Sequence, residues 1–488
     1  MDEEIKKIKA RGAISAGSLL FQSGFSAILG FVAFFILTLK SGLYLLGIYN
    51  TVLAMMNFFN YVTNLGLAAA VIQKPEIKDE DLSTAFFIQL LLAIVAIVVG
   101  FLLTNSLFKL YKDLPHNAIY LYWSLLFSFF FLSLKSIPSV LLEKKVKIYK
   151  VVLVQLVENV VFYLCVIIFS LLGFDIYSLI IAVVLRSLVG VVLIYVMQPW
   201  FPKITFSFSS AKSLLSYGIP FQGNSFLALI KDDLLIIYLG SVIGLKTLGI
   251  VTFAKKYGEF SIRMIMDSLN RVAFPIFSRF QNEKELLKKS LEKILFYESF
   301  FIFPIIIGAI FIFDSLLKIV PNYYIKWQPA VISFYFFSLS ALLVSLSSPF
   351  INLFNSIGKV KLSLYFMVLW TGLIWILVPL MIKLFNYQGI SIAFFIMSLT
   401  FILVIIVAKK KVQFSLSSAF GSPLFAALIM GVYLFITRLV FINYLKNIYL
   451  HLGFSLIGAI FVYSFALFSL KGKTLLAEIK ELMKNFKT

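Results

Sequence analysis

Long apolar segments separated by short polar gaps run through almost the whole chain. Fourteen of these segments are long enough to supply the ~20 residues that a helix needs to cross the hydrocarbon core of a bilayer. Backbone groups in lipid must find their hydrogen-bond partners within the segment, so segments of this length predict helices rather than barrel strands. The pattern therefore predicts an all-α polytopic membrane protein with about fourteen transmembrane helices.

The chain also repeats itself about two hundred residues apart. Phe21-Gln22 and Leu46-Gly47-Ile48 return as Phe221-Gln222 and Leu248-Gly249-Ile250, in the first hairpin of each half. A six-helix unit used twice in one orientation is typical of transporters, whose substrate path lies between the repeats. We therefore expect an N-terminal lobe over residues 1–200, a C-terminal lobe over 201–411, two additional helices over 412–470 and a cytoplasmic amphipathic tail over 471–488.

Composition and charge agree with a membrane protein and orient it. Hydrophobic residues make up 61% of the chain and charged residues 13%, against ~45–50% and ~25% in soluble domains. Alternate gaps between the spans hold 27 lysines and arginines on the side of the N-terminus and eight on the other. Because cytoplasmic loops collect positive charge, both termini are predicted to be cytoplasmic. The net charge of +21 follows from this topology, so no nucleic acid partner is expected.

Ionisable residues inside spans are the first place to look for function, since each costs about 2.5–3.5 kcal/mol at a helix centre unless it faces protein or water. The eighth span carries the most, and five of them form one stripe at helical spacing: Lys256, Glu259, Arg263, Asp267 and Arg271. This stripe is expected to face a wet cavity or a pairing partner. Candidates for the substrate path are Lys255, Lys256, Arg263 and Arg271, while Glu259 and Asp267 are candidates for charge pairs with Arg263 at i, i+4.

The seventh span places a second charged cluster at the same predicted depth. Lys231, Asp232 and Asp233 lie about eight residues before its outer end, and Lys255 and Lys256 lie about eight residues into the next span. In a tight hairpin these groups meet, so either aspartate is a candidate to neutralise either lysine. A role in charge pairing or coupling and a role facing the substrate both remain open for this cluster.

The first half holds fewer intramembrane charges, namely Lys135, Glu158 and Arg186. Glu158 in the fifth span and Arg186 in the sixth lie near mid-membrane on consecutive helices, which predicts a neutralising pair. Opening of that pair during transport would make Arg186 available to the substrate, so Arg186 is a further candidate for the path. His116 and His451 lie at outer ends without a ligand cluster, so no metal or cofactor is expected.

Two runs of the sequence carry a resemblance to a known family: Leu46-Gly47-Ile48-Tyr49 through Asn64-Leu65-Gly66-Leu67 to Val71-Ile72-Gln73-Lys74, and Tyr217-Gly218-Ile219-Pro220 through Asp233, Leu239-Gly240 and Leu248-Gly249 to Phe274-Pro275. They resemble the polysaccharide transporters of the multidrug/oligosaccharidyl-lipid/polysaccharide exporter superfamily, and Wzx-type exporters of O-antigen repeat units most of all. The resemblance covers most of the chain.

This resemblance implies two six-helix lobes around a central cavity, with two extra C-terminal helices. It implies a flippase of the cell (inner) membrane that moves a lipid-linked oligosaccharide on a polyisoprenyl diphosphate from the cytoplasmic to the outer leaflet. Asp233 matches an acid that commonly follows a basic residue in the seventh span, and Arg271 matches a basic residue before the Phe-Pro step. Membrane lipids, a polysaccharide polymerase and glycosyltransferases are the other partners it implies.

Three alternatives remain on the sequence. A cation-coupled multidrug exporter shares the fold and would be favoured by an acidic cation site in the first lobe; that lobe offers Glu158 but no carboxylate in its first two spans. A lipid II flippase belongs to the same superfamily, but its cation-rich first span is missing, since Ala13 to Leu39 contains no charge. A membrane glycan polymerase or ligase needs a sizeable external loop, and no gap here is long enough for one. The sequence thus predicts a transporter and not an enzyme.

Overall fold

The computed structural model describes the backbone of residues 2–74, 77–111, 114–145, 147–441 and 447–485. Side chains are described for most of these, but not for residues 2–17, 220–225, 267–268, 271–272 and 473–485, nor at some single positions. Over the described ranges the chain is helical and contains no strand. The all-α prediction is confirmed.

The described residues form seventeen α-helices and one π-helical turn, Ser417–Gly421, which leads directly into α16. The helices are α1 (Asp2–Ser41), α2 (Leu43–Asn64), α3 (Leu67–Gln73), α4 (Asp79–Lys109), α5 (Ala118–Lys144), α6 (Ile148–Leu171), α7 (Ile176–Met197), α8 (Phe208–Ile243), α9 (Leu245–Arg279), α10 (Lys284–Lys318), α11 (Pro321–Trp327), α12 (Ala330–Ser356), α13 (Val360–Phe385), α14 (Gln388–Ser398), α15 (Phe401–Lys409), α16 (Ser422–Val440) and α17 (Ile448–Asn485).

The prediction of about fourteen spans agrees with these helices. Eleven described segments are long and apolar enough to cross a bilayer, and α14 with α15 counts as one of them. Three further helices, α2, α8 and α9, have 22, 36 and 35 residues. At about 1.5 Å of rise per residue each of them exceeds the hydrocarbon thickness. The chain is a multi-pass membrane protein, and the charged clusters lie in α8 and α9.

The chain forms two compact units, residues 1–252 and 253–488. The division falls within α9, so α8 and the first two turns of α9 belong to unit 1. In unit 1, α6 packs against α1 and α7, α5 packs against α4 and α7, and α2 packs against α8. In unit 2, α10 packs against α12, α16 and α17, while α14 packs against α12 and α13. The predicted lobe limits at residues 200, 411 and 470 stay predictions.

Reciprocal glycine contacts join α2 to the start of α9 inside unit 1. The α-carbon of Gly47 faces the backbone oxygen of Leu245, and that of Gly249 faces the backbone oxygen of Leu43. A side chain at either glycine would overlap the opposite backbone, so two glycines are what permit this close approach. Both belong to the repeated Leu-Gly-Ile motif, which therefore packs against its own copy.

The other end of α2 also depends on a glycine. Leu65 (φ 32°) and Gly66 (φ 67°) turn the chain from α2 into α3. A positive φ strains a residue that carries a Cβ, whereas glycine adopts it without strain. Gly66 also packs directly on the backbone of Gly218 in α8, where a Cβ would overlap the Gly218 oxygen. Backbone contacts thus hold α2 at both ends and leave its middle beside the cavities described below.

Candidate functional site

A polar cavity of about 490 Å³ lies within unit 1. Its walls come from α1 to α7, and its lining combines hydroxyl and amide side chains with four ionisable groups, Lys135, Glu143, Glu158 and Arg186. A smaller cavity of about 200 Å³ adjoins it. The two cavities share the lining residues Asn60, Phe129, Leu132, Lys135 and Arg186.

One face of α5 runs beside both cavities. Its residues recur at helical spacing from Leu125 in the smaller cavity to Glu143 in the larger one. Those 18 steps cover about 27 Å, close to the ~30 Å thickness of the hydrocarbon core. Lys135 lies near the middle of this face, at the boundary between the cavities. The two cavities therefore lie along most of the length of α5, and Lys135 marks their boundary.

Lys135 forms an ion pair with Glu158 of α6. The Lys135 Nζ lies 2.5 Å from the Glu158 Oε1, and the Glu158 side chain is only 2% exposed. A carboxylate this buried requires a compensating charge. Lys135 supplies it from α5, the helix that precedes α6 in the chain, and not from α7, which carries Arg186. Glu158 thus has a different partner from the predicted one.

The register of α6 against α7 explains why Arg186 does not take that place. In this antiparallel pair Glu158 packs against Gly190, where a Cβ would overlap the carboxylate. One turn further along α6, Phe162 packs against Arg186, whose guanidinium carbon lies 5.6 Å from the ring centroid. Arg186 is therefore offset from Glu158 by about one helical turn, ~5.4 Å.

Arg186 is the cation of this cavity without an acidic partner among the residues that the structure describes. Its side chain is exposed and lines both cavities. The Phe162 ring beneath it gives a cation–π contact but leaves its N–H donors available. Around the boundary the charges of Lys135, Glu158 and Arg186 sum to +1. The fourth charged group, Glu143, lies at the far end of the α5 face.

Hydrogen-bonded amides form much of the larger cavity. Gln22 of α1 donates to Gln155 of α6 (Nε2 to Oε1, 3.1 Å), and one turn later Asn159 donates to Ser26 (3.0 Å). Ser136 of α5 donates to the Gln89 Oε1 of α4 at 2.6 Å. Selection by charge alone missed these residues, together with the position of Lys135. Amides inside otherwise apolar spans were the available signal.

The cluster in α8 lies partly beside the smaller cavity. Lys231 and Asp232 form an ion pair at 3.7 Å. The Asp233 Oδ1 accepts a hydrogen bond of 2.8 Å from Asn57, which lines that cavity. Neutralisation of Asp232 or Asp233 by a lysine of α9 stays a prediction.

The charged stripe of α9 is described in part, within unit 2. The predicted pair of Glu259 and Arg263 forms, with the Arg263 Nε and Nη2 at 3.1 and 2.8 Å from the Glu259 Oε2. Arg263 is 67% exposed. Lys255 Nζ lies 4.4 Å from the centroid of the Phe394 ring, and Lys256 is partly buried. The side chains of Asp267 and Arg271 lie outside the described residues, so their roles stay predictions.

Glu298 of α10 is a second buried carboxyl group, in unit 2, that the sequence analysis did not select. Its side chain is fully buried, and neither oxygen has a hydrogen-bond partner in the described part of the chain. Its neighbours on the same helix face, Leu295 and Ile302, are also fully buried and apolar. Among the described residues, the surroundings of Glu298 are therefore apolar and supply no compensating charge.

One protein-family model and two relatives match this chain. The model of the family described as "Polysaccharide biosynthesis protein" matches residues 45–332. The chain is 22% identical over 311 residues to the teichuronic acid biosynthesis protein TuaB of Bacillus subtilis (strain 168), which is 63% of each protein. It is 21% identical over 333 residues to the lipopolysaccharide biosynthesis protein WzxC of Escherichia coli (strain K12), 67% of this chain and 66% of that one. The matches span just under two thirds of each relative.

Solved structures extend the similarity to nearly the whole chain at the level of the fold. The lipid II flippase MurJ in an inward closed conformation superimposes with a TM-score of 0.75 at 15% identity, over 93% of this chain and 99% of MurJ. An inward-facing multidrug resistance MATE family transporter of the MOP superfamily gives 0.60 at 16% identity, over 79% of this chain and 95% of that one. The same fold therefore carries different cargoes.

Proposed function

The chain belongs to the family of polysaccharide biosynthesis proteins, and we propose that it is a flippase that moves a polyisoprenyl-diphosphate-linked oligosaccharide across the cell membrane. The direction proposed is from the cytoplasmic to the outer leaflet, by alternating access, for the synthesis of a surface polysaccharide. The excess of lysine and arginine in alternate loops supports this orientation, with both termini in the cytoplasm.

The observation that carries the proposal is the pair of adjoining cavities inside a bundle of apolar helices, with Lys135 and Arg186 at their boundary. A diphosphate cannot enter hydrocarbon without water and compensating charge. Arg186 offers a planar set of donors that matches phosphate oxygens. The polyisoprenyl tail requires no site of this kind, since it is soluble in the bilayer.

Weak retention of the headgroup follows from the arrangement of charges. Glu158 already neutralises Lys135, so a diphosphate that approaches Lys135 competes with a carboxylate 2.5 Å away. Only Arg186 meets the anion without such competition in the described cavity lining. A headgroup held mainly by one guanidinium is released more readily than one held by a cluster of unpaired cations, and transport requires release on the far side.

Arg263 and Arg271 of α9 are proposed as further contacts along the path in unit 2. Arg263 is mostly exposed and shares its charge with Glu259, an arrangement similar to that of Lys135 and Glu158. We expect Arg263→Ala and Arg271→Ala each to reduce export while the protein still inserts in the membrane. Normal export by both single variants and by the double variant would remove these residues from the mechanism.

Reconstitution tests the proposal directly. The full chain is placed in proteoliposomes with a fluorescent polyisoprenyl-diphosphate oligosaccharide, and movement of the lipid between leaflets is measured with and without an imposed ion gradient. We expect movement that depends on the protein and falls in Arg186→Ala. Lys203→Ala is the matched control, because Lys203 pairs with Asp79 at an exposed position outside both cavities. Absence of protein-dependent movement across several glycans would refute the proposal.

A cation-coupled multidrug exporter is the second candidate. The smaller cavity favours it in one respect, because Tyr49, Phe129, Phe131 and Phe162 give it an aromatic lining suited to an organic cation. Arg186 in the same lining opposes it, since an unpaired guanidinium repels a cationic drug. Ion-driven efflux of a cationic dye from the same proteoliposomes, without movement of the glycolipid, would support this candidate.

A further inference from the structure

The seam between α1 and α6 places two polar pairs against the larger cavity at a fixed register. Gln22 meets Gln155, Ser26 meets Asn159 one turn later, and Gly30 meets the ring of Tyr163 one turn beyond that. Each step advances four residues on both helices, so the two helices run parallel and in phase. The first two pairs are polar, whereas the third closes the seam by packing a phenol on a glycine.

The contacts between the helices use only part of the hydrogen-bonding capacity of these amides. A side-chain amide has two donors and a carbonyl oxygen with two lone pairs. The Gln22–Gln155 bond uses one donor and one acceptor of the pair, and the Asn159 bond to Ser26 uses one donor of Asn159. Gln22, Gln155 and Asn159 all line the cavity, as does Gln89 of α4. Most of their donors and acceptors are therefore available to a molecule inside it.

The chemistry of this wall differs from that of the boundary with the smaller cavity. At the boundary Lys135 and Arg186 provide cations, which suit an anion. On the wall the neutral amides provide donors and acceptors side by side, which suits groups that also donate and accept, such as sugar hydroxyls and N-acetyl groups. A neutral amide gives an anion less stabilisation than a charged donor does. The larger cavity therefore has two chemically different parts: a cationic boundary that suits an anion and an amide wall that suits neutral polar groups.

We propose that Gln22, Gln89, Gln155 and Asn159 form a carbohydrate subsite that binds hydroxyl and amide groups of the sugar adjoining the diphosphate and selects which glycan is accepted. This inference rests on the proposed function, since it assigns the sugar end of the same cargo. A site built to pair with a hydroxyl discriminates strongly against an analogue that lacks it, because the buried polar groups of the protein are then left unpaired. The amides are in this sense specificity-determining residues.

Binding to two lipids that differ only in the sugar tests the proposal. The full chain in nanodiscs is titrated with a polyisoprenyl diphosphate that carries one N-acetylhexosamine and with the same lipid without sugar. In the wild type we expect tighter binding of the glycosylated lipid. Gln22→Leu/Gln155→Leu is expected to weaken that binding by about tenfold and to leave the sugar-free lipid unchanged, since each lost hydrogen bond is worth about 0.5–1.5 kcal/mol.

Variants and outcomes are chosen to separate the possible failures. Gln89→Leu acts on α4 and leaves the α1–α6 seam intact, so it tests the subsite if the double variant folds poorly. Gln198→Leu is the matched control, because Gln198 follows α7 and is absent from the cavity lining. Equal binding of both lipids by the wild type, or an equal loss of both in the glutamine variants, would overturn the subsite and keep the flippase. Binding of neither lipid by the wild type would overturn both.

Discussion

Glu158 in unit 1 and Glu298 in unit 2 are equally buried carboxyl groups in very different surroundings. Glu158 is 2% exposed, accepts from Lys135 at 2.5 Å and lines a polar cavity. Glu298 is fully buried, and no hydrogen-bond partner for it exists among the described residues. Low exposure therefore does not assign a role to an intramembrane acid. The neighbouring groups decide whether it carries charge into a site or remains within a core.

Removal of Lys135, the partner of Glu158, is expected to have the largest effect. Lys135→Met leaves Glu158 buried without its cation, which costs about 3–5 kcal/mol when one partner of a buried pair is removed. We expect a marked fall in the unfolding temperature of the purified protein in detergent, measured by intrinsic fluorescence. Lys135→Met/Glu158→Met is expected to recover most of the loss. Wild-type stability of the single variant would show that the pair contributes nothing.

Arg186 gives the second effect, on transport and not on stability. Arg186→Ala removes a cation that has no acidic partner in the described cavity, so the unfolding temperature is expected to stay near that of the wild type. A hydrogen bond to a charged group is worth about 1.5–3 kcal/mol, which predicts a fall in flipping rate of about 10- to 100-fold. The flipping rate of Arg186→Lys should lie between those of the wild type and Arg186→Ala, because lysine keeps the charge and loses the planar donors. Equal rates for all three would contradict the proposed contact.

The packing of α7 on Glu158 predicts a third, smaller effect. Gly190→Ala places a methyl group where the Glu158 carboxylate lies, and overpacking of this kind costs about 1–3 kcal/mol. Gly24→Ala in α1 is the control, since nothing lies within 4 Å of the added Cβ, and it should leave stability unchanged or slightly higher. Both are compared by unfolding temperature. Identical results for the two alanine variants would contradict the close packing at Gly190.

The smallest effect is expected at Glu298. Glu298→Met removes a buried carboxyl group that has no hydrogen-bond partner among the described residues, so we expect stability to rise by about 1 kcal/mol, the lower end of the cost of burying such a group. Flipping should remain at the wild-type rate. A folded Glu298→Met protein that no longer transports would show instead that the carboxyl group takes part in transport, and the contrast with Glu158 would disappear.

Much of the fold could be predicted from the sequence, while the site could be predicted only in part. The repeated Leu-Gly-Ile motif marked the place where α2 meets α9, and the glycines were its informative residues. Glu158 and Arg186 were correctly selected as intramembrane charges, but they were wrongly paired. Consecutive helices give an approximate depth for each residue, and an error of one turn changes the partner. Lys135 and Glu158 lie at similar distances from the turn between α5 and α6, so the hairpin spacing that was applied to α8 and α9 would also have indicated this pair.

The sequence by itself determined the helical class, the approximate number of spans and the positions of the intramembrane charges. It did so because lipid acts as a uniform apolar solvent that forces each segment to satisfy its own backbone. Only the tertiary structure decided which polar side chains of different helices meet, that amides of α1, α4 and α6 line one cavity, and that Glu298 lies apart from any partner described. Those outcomes depend on the rotation and register of each helix against its neighbours, which side-chain packing sets and hydrophobicity does not encode.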